Sequence, residues 1–102
     1  MPYEIAQESE VVQTLLKARQ LIVERGWIQA AFSSEHGLCG VGAIDEADPT
    51  NDSGGDAALI ALVRTVTPEF KCFAEFNDTP GRTADQILAK FDEAVALERS
   101  RA

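Results

Sequence analysis

The chain has 102 residues, 45% of them hydrophobic and 25% charged, which suits one domain with a modest core and excludes a disordered or collagen-like chain. Its net charge of -8 at pH 7 disfavours direct binding to nucleic acid, because phosphate groups are repelled, and favours basic protein partners. No apolar run reaches the roughly 18 residues of a membrane span, and the start "MPYEIAQESE" lacks the pattern of a signal peptide. Two cysteines are too few for a disulfide scaffold. We therefore expect one cytoplasmic domain over residues 1–102.

The first predicted element is a helix that Ser9 caps and that runs to about Arg25. Apolar residues recur on one face of it at helical spacing, namely Val11, Leu15, Ala18 and Ile22. Gly26 stands where a helix commonly ends in glycine.

The next stretch, "WIQAAFSSEHGLCGVGAIDEA", begins with a short apolar run and becomes apolar again at Leu38 after the polar turn "SSEHG". One interpretation is a small β-hairpin around Ser33–Gly37, because the turn is polar and ends in glycine. The other is a loop followed by a short helix over about 40–47. We favour a mixture, in which a brief hairpin at about 28–40 leads into the short helix.

Acidic residues are concentrated in the middle of the chain. Residues 27–56 contain no Lys or Arg and six acids, namely Glu35, Asp45, Glu46, Asp48, Asp52 and Asp56. Within them, "DPTNDSGGD" is dense in turn-forming residues and predicts a loop. We therefore expect a flexible acidic loop over about 45–56, which serves either solubility or the attraction of a basic partner.

Helical spacing resumes near Asp56. The apolar face of this helix is predicted to consist of Leu59, Leu62, Val63 and Val66. Another helix is predicted to begin in "TPEF", where Thr67 is a suitable cap and Pro68 suits the first helical position. An aromatic ridge facing the core is expected to follow, formed by Phe70, Phe73 and Phe76.

The stretch "FAEFNDTPGRTADQIL" predicts a turn between two helices. Asn77 is a suitable helix terminator, and Pro80–Gly81 predicts a tight turn. Thr83 and Gln86 have the spacing of a capping box for a last helix, which we expect to end near residue 98.

Turn chemistry does not explain Asp78 and Arg82, which lie four residues apart. Either they form a bidentate salt bridge that clamps the loop, which we favour, or they bind a ligand or partner. The elements together predict a mainly α, compact single domain of four or five short helices, with or without one small β-hairpin.

Three motifs together resemble a known family. They are Trp27 after the first helix, the segment "GLCGVGAI" and the segment "FNDTPGRT" before the last helix. The family consists of small uncharacterised proteins, largely actinobacterial and phage-borne, and the resemblance covers roughly residues 10–97. Phe76 stands where the family more often has Trp, and Ile44 where it has Leu, so both positions stay apolar. The resemblance implies one compact fold and leaves the activity open.

Residues that bind metals or phosphates are too few or wrongly spaced. His36 and Cys39 have the H-x-x-C spacing of zinc ligands, but Cys72 has no second ligand beside it. The glycines of "GLCGVGAI" lack the lysine of a phosphate loop and precede Asp45 and Glu46. We therefore predict no metal and no cofactor.

Nucleophilic catalysis would need Cys39 as nucleophile and His36, the single histidine, as base. The amides of Gly40 and Val41 would serve as oxyanion donors. We favour the competing interpretation, that Cys39 is a small buried apolar residue. Trp27 is likewise either a stacking platform for a ligand or, as we favour, part of the core.

Three hypotheses on function remain. The first is a non-catalytic protein-interaction or regulatory module whose partner docks on the 27–56 surface or the 77–83 turn, with no direct nucleic-acid or membrane contact. The second is an acidic, phage-type inhibitor or nucleic-acid mimic for a basic groove, and the third a small enzyme or ligand-binding protein using Cys39 and His36. The candidate binding residues are Trp27, Asp45, Glu46, Asp48, Asp52, Asn77, Asp78 and Arg82.

Overall fold

The computed structural model describes residues 9–50 and 54–101, and within these ranges it contains five helices and one two-stranded hairpin. The helices are α1 (Glu10–Arg25), α2 (Gly40–Ala47), α3 (Gly55–Val63), α4 (Phe73–Asn77) and α5 (Ala84–Ser100). The strands are β1 (Ser33–Ser34) and β2 (Gly37–Leu38). The prediction of a mainly α single domain with a small hairpin is confirmed. Across the described ranges, every helix is too short or too polar to span a bilayer.

The first helix begins and ends where the sequence predicts. The Ser9 hydroxyl accepts a hydrogen bond from the Val12 amide at 3.2 Å, which satisfies one of the amides left without a partner at a helix start. Gly26 ends the helix with a φ of 96°, a value that glycine adopts without strain. Its N–H donates to the Ile22 carbonyl at 2.8 Å.

The last helix begins at the predicted capping box. The Thr83 hydroxyl accepts from the Gln86 N–H at 3.2 Å, and Gln86 Oε1 accepts from the Thr83 N–H at 3.1 Å. Pro80 and Gly81 form the turn before it, in which Gly81 has a φ of 85°, as a type II turn requires.

The mixed prediction for residues 27–47 is also confirmed. β1 pairs antiparallel with β2, and Trp27 forms a parallel bridge to Leu38. α2 follows at once with Cys39 as its N-cap residue, whose sulfur accepts a hydrogen bond from the Gly42 amide at 3.2 Å. The second strand of the hairpin is therefore followed directly by the N-cap of α2.

The core lies where α1 packs against α2, α3 and α5. Its largest fully buried apolar side chains are Val12, Leu15, Leu38, Ile44, Leu62, Phe73, Ile87 and Phe91. Phe73 contacts Phe91 edge-on with ring centroids 6.2 Å apart and lies 5.5 Å from Phe76. Because α4 supplies two of these rings, the short helix is fixed in place by the core.

The segment between α3 and α4 differs from the prediction. Residues 64–72 contain no helix, and α4 begins only at Phe73. At Thr67 a single turn closes, in which the Phe70 N–H donates to the Thr67 carbonyl at 3.1 Å. A single turn has too few hydrogen bonds to offset the free-energy cost of helix nucleation. The residues of "TPEF" also bury no apolar face that would stabilise a longer helix. Phe70 nevertheless joins the aromatic ridge, edge-on to Phe76 at 5.4 Å.

Candidate functional site

Asn77, at the end of α4, is wholly buried, and its side-chain amide uses all of its hydrogen-bonding capacity. Its Oδ1 accepts from the Trp27 indole N–H at 2.7 Å and from the Gly40 N–H at 3.0 Å. Its Nδ2 donates to the Ile28 carbonyl at 3.1 Å and to Asp78 Oδ1 at 3.0 Å. We call these five residues the Asn77 network; it joins the chain after α1, the start of α2 and the end of α4.

The residues after Trp27 are tied to the loop after α4. Gln29 Nε2 donates to the carbonyls of Asn77 and Thr79 at 3.1 and 2.9 Å. The Ala30 N–H donates to Asp78 Oδ1 at 3.0 Å. Ala30 has a φ of 67°, a left-handed conformation that costs an alanine about 1–2 kcal/mol. Backbone strain of this kind persists only where the surroundings hold it, and it is enriched at functional surfaces.

The strained segment borders a cleft of about 340 Å³. Its lining consists of Ala30, Ala31, Phe32, Cys39, Ala74 and Asp78. Phe32 is 60% exposed, so an aromatic ring lies open beside the cleft. Asp78 Oδ1 is engaged by two donors, whereas Oδ2 has no hydrogen-bond partner in the described ranges. This Asp78 cleft therefore combines apolar walls with one available carboxylate oxygen.

Cys39 is a buried residue of this cleft. Burial raises the pKa of its thiol, and the nearby carboxylates of Asp78 and Asp45 raise it further. Hydrogen bonds from the Gly42 and Val41 amides act in the opposite direction but do not reverse the shift. The thiol is therefore protonated at neutral pH, as a cysteine that serves packing and helix capping would be.

We expect Cys39 to resist alkylation until the protein unfolds. In a Cys72→Ser variant, iodoacetamide should modify Cys39 much more slowly in the folded protein than in the unfolded chain, because the folded protein buries the thiol and raises its pKa. The rate should rise as the pH rises through the raised pKa. Mass spectrometry over time measures it, and the exposed Cys72 in a Cys39→Ala variant is the matched control. Equal rates for the two cysteines would contradict the assignment.

The groups that a cysteine enzyme needs are not assembled around Cys39. His36 lies in the hairpin turn with its side chain 79% exposed, and its Nε2 lies 3.5 Å from the neighbouring glutamate carboxylate. Within the described ranges no hydrogen bond joins the imidazole to the thiol. The Gly40 amide, one of the two considered as oxyanion donors, already donates to Asn77 and is not available to a substrate.

The loop predicted over 45–56 is helical at both of its ends, because α2 continues to Ala47 and α3 begins at Gly55. Asp45 and Glu46 are exposed in the last turn of α2, and Asp56 lies in the first turn of α3. The predicted binding residue Asp52 lies outside the described residues. Helix ends therefore hold much of the charge that the sequence analysis assigned to a loop.

Two of the predicted acidic binding residues already have partners in the structure. Asp48 is 7% exposed, and its Oδ2 accepts from the Gly55 N–H at 2.9 Å, so it holds the start of α3. Glu46 pairs with Arg25 at 3.2 Å across the α1–α2 contact. Asp48 and Glu46 therefore already have partners within the protein before any basic partner binds.

The predicted salt bridge between Asp78 and Arg82 is wrong. Arg82 Nε donates to the Phe76 carbonyl at 2.9 Å, and the guanidinium lies over the Phe76 ring, 3.6 Å from its centroid. Asp78 is held instead by the Ala30 amide. The turn after α4 directs the two side chains to different surfaces, so each contributes to a separate cleft.

The cleft lining includes four residues that the sequence did not indicate as site residues, namely Ala30, Ala31, Phe32 and Ala74. Alanines carry no chemical signature, and a positive φ at Ala30 has no local sequence signal. Phe32 was the one sequence signal for the cleft, because an aromatic residue directly before the polar turn "SSEHG" is placed to be exposed.

Comparison with known proteins supports the resemblance seen in the sequence. A family model described as "Family of unknown function (DUF6197)" matches residues 6–97. No curated protein and no solved structure matches the chain. The matched range includes the Asn77 network and the whole Asp78 cleft. The chain therefore belongs to the DUF6197 family, a family of unknown function.

Proposed function

We propose that this protein is a non-catalytic interaction module that binds a partner protein by taking one of its lysine side chains into the Asp78 cleft. The observation that carries the proposal is the lining of that cleft, which is apolar except for a buried thiol and the Asp78 carboxylate. The cleft also joins the two surfaces that the sequence indicated for docking, since Ala30–Phe32 belongs to one and Asp78 to the other.

A lysine side chain suits both parts of the cleft. Its methylene stem packs on the alanine side chains of the wall while its ammonium group reaches Asp78. Only Oδ2 is available, because Oδ1 accepts from Ala30 and Asn77. One oxygen matches a compact ammonium better than a guanidinium, which prefers both oxygens of a carboxylate.

The surrounding charge and the open aromatic ring support the same ligand. Asp45 is close enough to add to the negative potential at Cys39, and among the described residues no Lys or Arg lines the cleft. The ring of Phe32 offers an apolar and cation-attracting contact at the edge of the site. A basic partner is also attracted by the net charge of -8 over the whole chain.

A cytoplasmic location is part of this proposal. Cys39 and Cys72 are both free thiols, one buried and one exposed, as a reducing compartment maintains them. The protonated Cys39 and the exposed His36 support a binding role for this region over a catalytic one.

The proposal predicts that a blocked Ala-Lys-Ala peptide binds the isotope-labelled protein in a saturable way. Amide NMR signals of Ala30, Ala31 and Cys39 should shift, and an Ala-norleucine-Ala peptide, which keeps most of the stem without the charge, should leave them unchanged. Asp78→Asn should weaken binding at least about tenfold. This variant keeps an oxygen to accept from Ala30 and Asn77, so it is expected to fold.

Asp85→Asn is the matched control, because it removes an exposed carboxylate from the first turn of α5, away from the cleft. It should leave peptide binding unchanged. Equal shifts from the norleucine peptide, or unchanged lysine binding in Asp78→Asn, would refute the proposal. Tighter binding of an Ala-Arg-Ala peptide would refute the choice of lysine.

A further inference from the structure

A second cleft, of about 350 Å³, lies between the end of α4 and α5. Its lining consists of Phe76, Arg82, Gln86, Ala89, Lys90 and Glu93. We propose that this Arg82 cleft binds a carboxylate group between the side chains of Arg82 and Lys90. The inference is independent of the lysine site, because it uses other residues and the opposite ligand charge.

Arg82 is fixed in position before any ligand arrives. Its guanidinium lies over Phe76 and its Nε donates to the Phe76 carbonyl. The terminal nitrogens Nη1 and Nη2 have no partner within the described ranges, and no carboxylate there lies within ion-pair distance of Arg82. Two parallel N–H groups of this kind match the two oxygens of a carboxylate. Because the side chain is already ordered, binding restricts it little further.

Lys90 supplies a second positive group in the lining of the same cleft. Its Nζ lies 5.7 Å from the Phe76 ring centroid and donates to the Thr65 carbonyl at 3.0 Å. Glu93 accepts from the same ammonium at 3.2 Å, so it is an internal competitor for an incoming anion. The side chain of Lys90 is 23% exposed, which reduces the screening of its charge by water.

The charges of the lining select among anions. Arg82, Lys90 and Glu93 together leave one net positive charge in the cleft, within a chain whose net charge is -8. A singly charged carboxylate is balanced by this cleft, whereas a doubly charged phosphate is repelled by the rest of the protein. The ligand class is therefore a carboxylate, either a small acid or an acidic side chain of a peptide.

Titration of the isotope-labelled protein with acetate tests the inference, with chloride at matched ionic strength as the reference. Amide signals of Arg82, Gln86 and Lys90 should shift and saturate. Arg82→Gln should weaken acetate binding at least about tenfold, and the exposed Arg64→Gln should leave it unchanged. Shifts that chloride reproduces, or full binding by Arg82→Gln, would overturn the inference.

Arg82→Gln also removes the packing of the guanidinium on Phe76, so a second variant tests binding without disturbing that contact. Glu93→Gln deletes the competing carboxylate, so acetate should bind about twofold to fivefold more tightly. Unchanged or weaker binding by this variant would also overturn the inference. Inorganic phosphate should bind more weakly than acetate, and the reverse order would refute the choice of a carboxylate. Asp78→Asn tests the lysine site separately, so either proposal can fail without the other.

Discussion

Replacing Asn77 with alanine is expected to lower the free energy of unfolding by about 3–5 kcal/mol. Alanine removes the acceptor of the Trp27 indole N–H and of the Gly40 N–H, and it removes the donor to the Ile28 carbonyl. Gly40 is buried, so in the variant its N–H cannot donate a hydrogen bond to water instead. Urea unfolding followed by the fluorescence of Trp27, the single tryptophan, measures the loss.

Two further variants separate the network from its surroundings. Asn77→Asp keeps the shape and the acceptor but sets a carboxylate against the Ile28 carbonyl and Asp78, so we expect it to be as destabilising as alanine near neutral pH. Gln29→Ala removes only an exposed donor and should cost about 0.5–1.5 kcal/mol. If Asn77→Ala lost no more stability than Gln29→Ala, the central role of Asn77 would be wrong.

The second large effect is expected at Gly42, in the first turn of α2. A Cβ atom there would lie 1.8 Å from the Phe32 carbonyl oxygen, and that carbonyl also accepts from the Cys39 N–H at 3.1 Å. A backbone atom cannot be moved by changing a rotamer, so the segment before the hairpin has to shift. We expect Gly42→Ala to lower the free energy of unfolding by about 3 kcal/mol.

The sign of this change is informative, because alanine usually stabilises a helix relative to glycine by about 0.5–1 kcal/mol. Chemical denaturation of both proteins measures the difference. Gly81→Ala is the comparison: its Cβ meets nothing within 4 Å, so only its φ of 85° opposes the change, at a cost of about 1–2 kcal/mol. A Gly42→Ala protein as stable as the wild type would disprove the close approach.

The features that could be predicted from the sequence depend on residues within one helical turn of each other. Ser9 and its amide partner are three positions apart, and so are Thr83 and Gln86. Gly26 and Gly81 take the positive φ that their places after a helix and in a turn suggest. In each case the partner groups are neighbours along the chain, so local stereochemistry is sufficient.

The candidate site could not be predicted in the same way, because its contacts are not local. Asp78 and Arg82 have the spacing of an ion pair, yet each finds a better partner elsewhere: Asp78 an amide in the segment after α1, and Arg82 an aromatic face and a carbonyl. Asn77 was correctly predicted to end a helix, but its burial follows from packing between distant segments. The segment "TPEF" has helix-start residues but no buried face, so its helix does not form.

The Asn77 network has a consequence for the lifetime of the folded protein. Asn77 forms hydrogen bonds with Trp27, Ile28 and Gly40, which precede it in the sequence by 50, 49 and 37 positions. Such contacts close only after both halves of the chain have come together, because loop closure opposes them until then. We therefore expect their stabilisation to act mainly after the folding barrier, so that it slows unfolding more than it speeds folding.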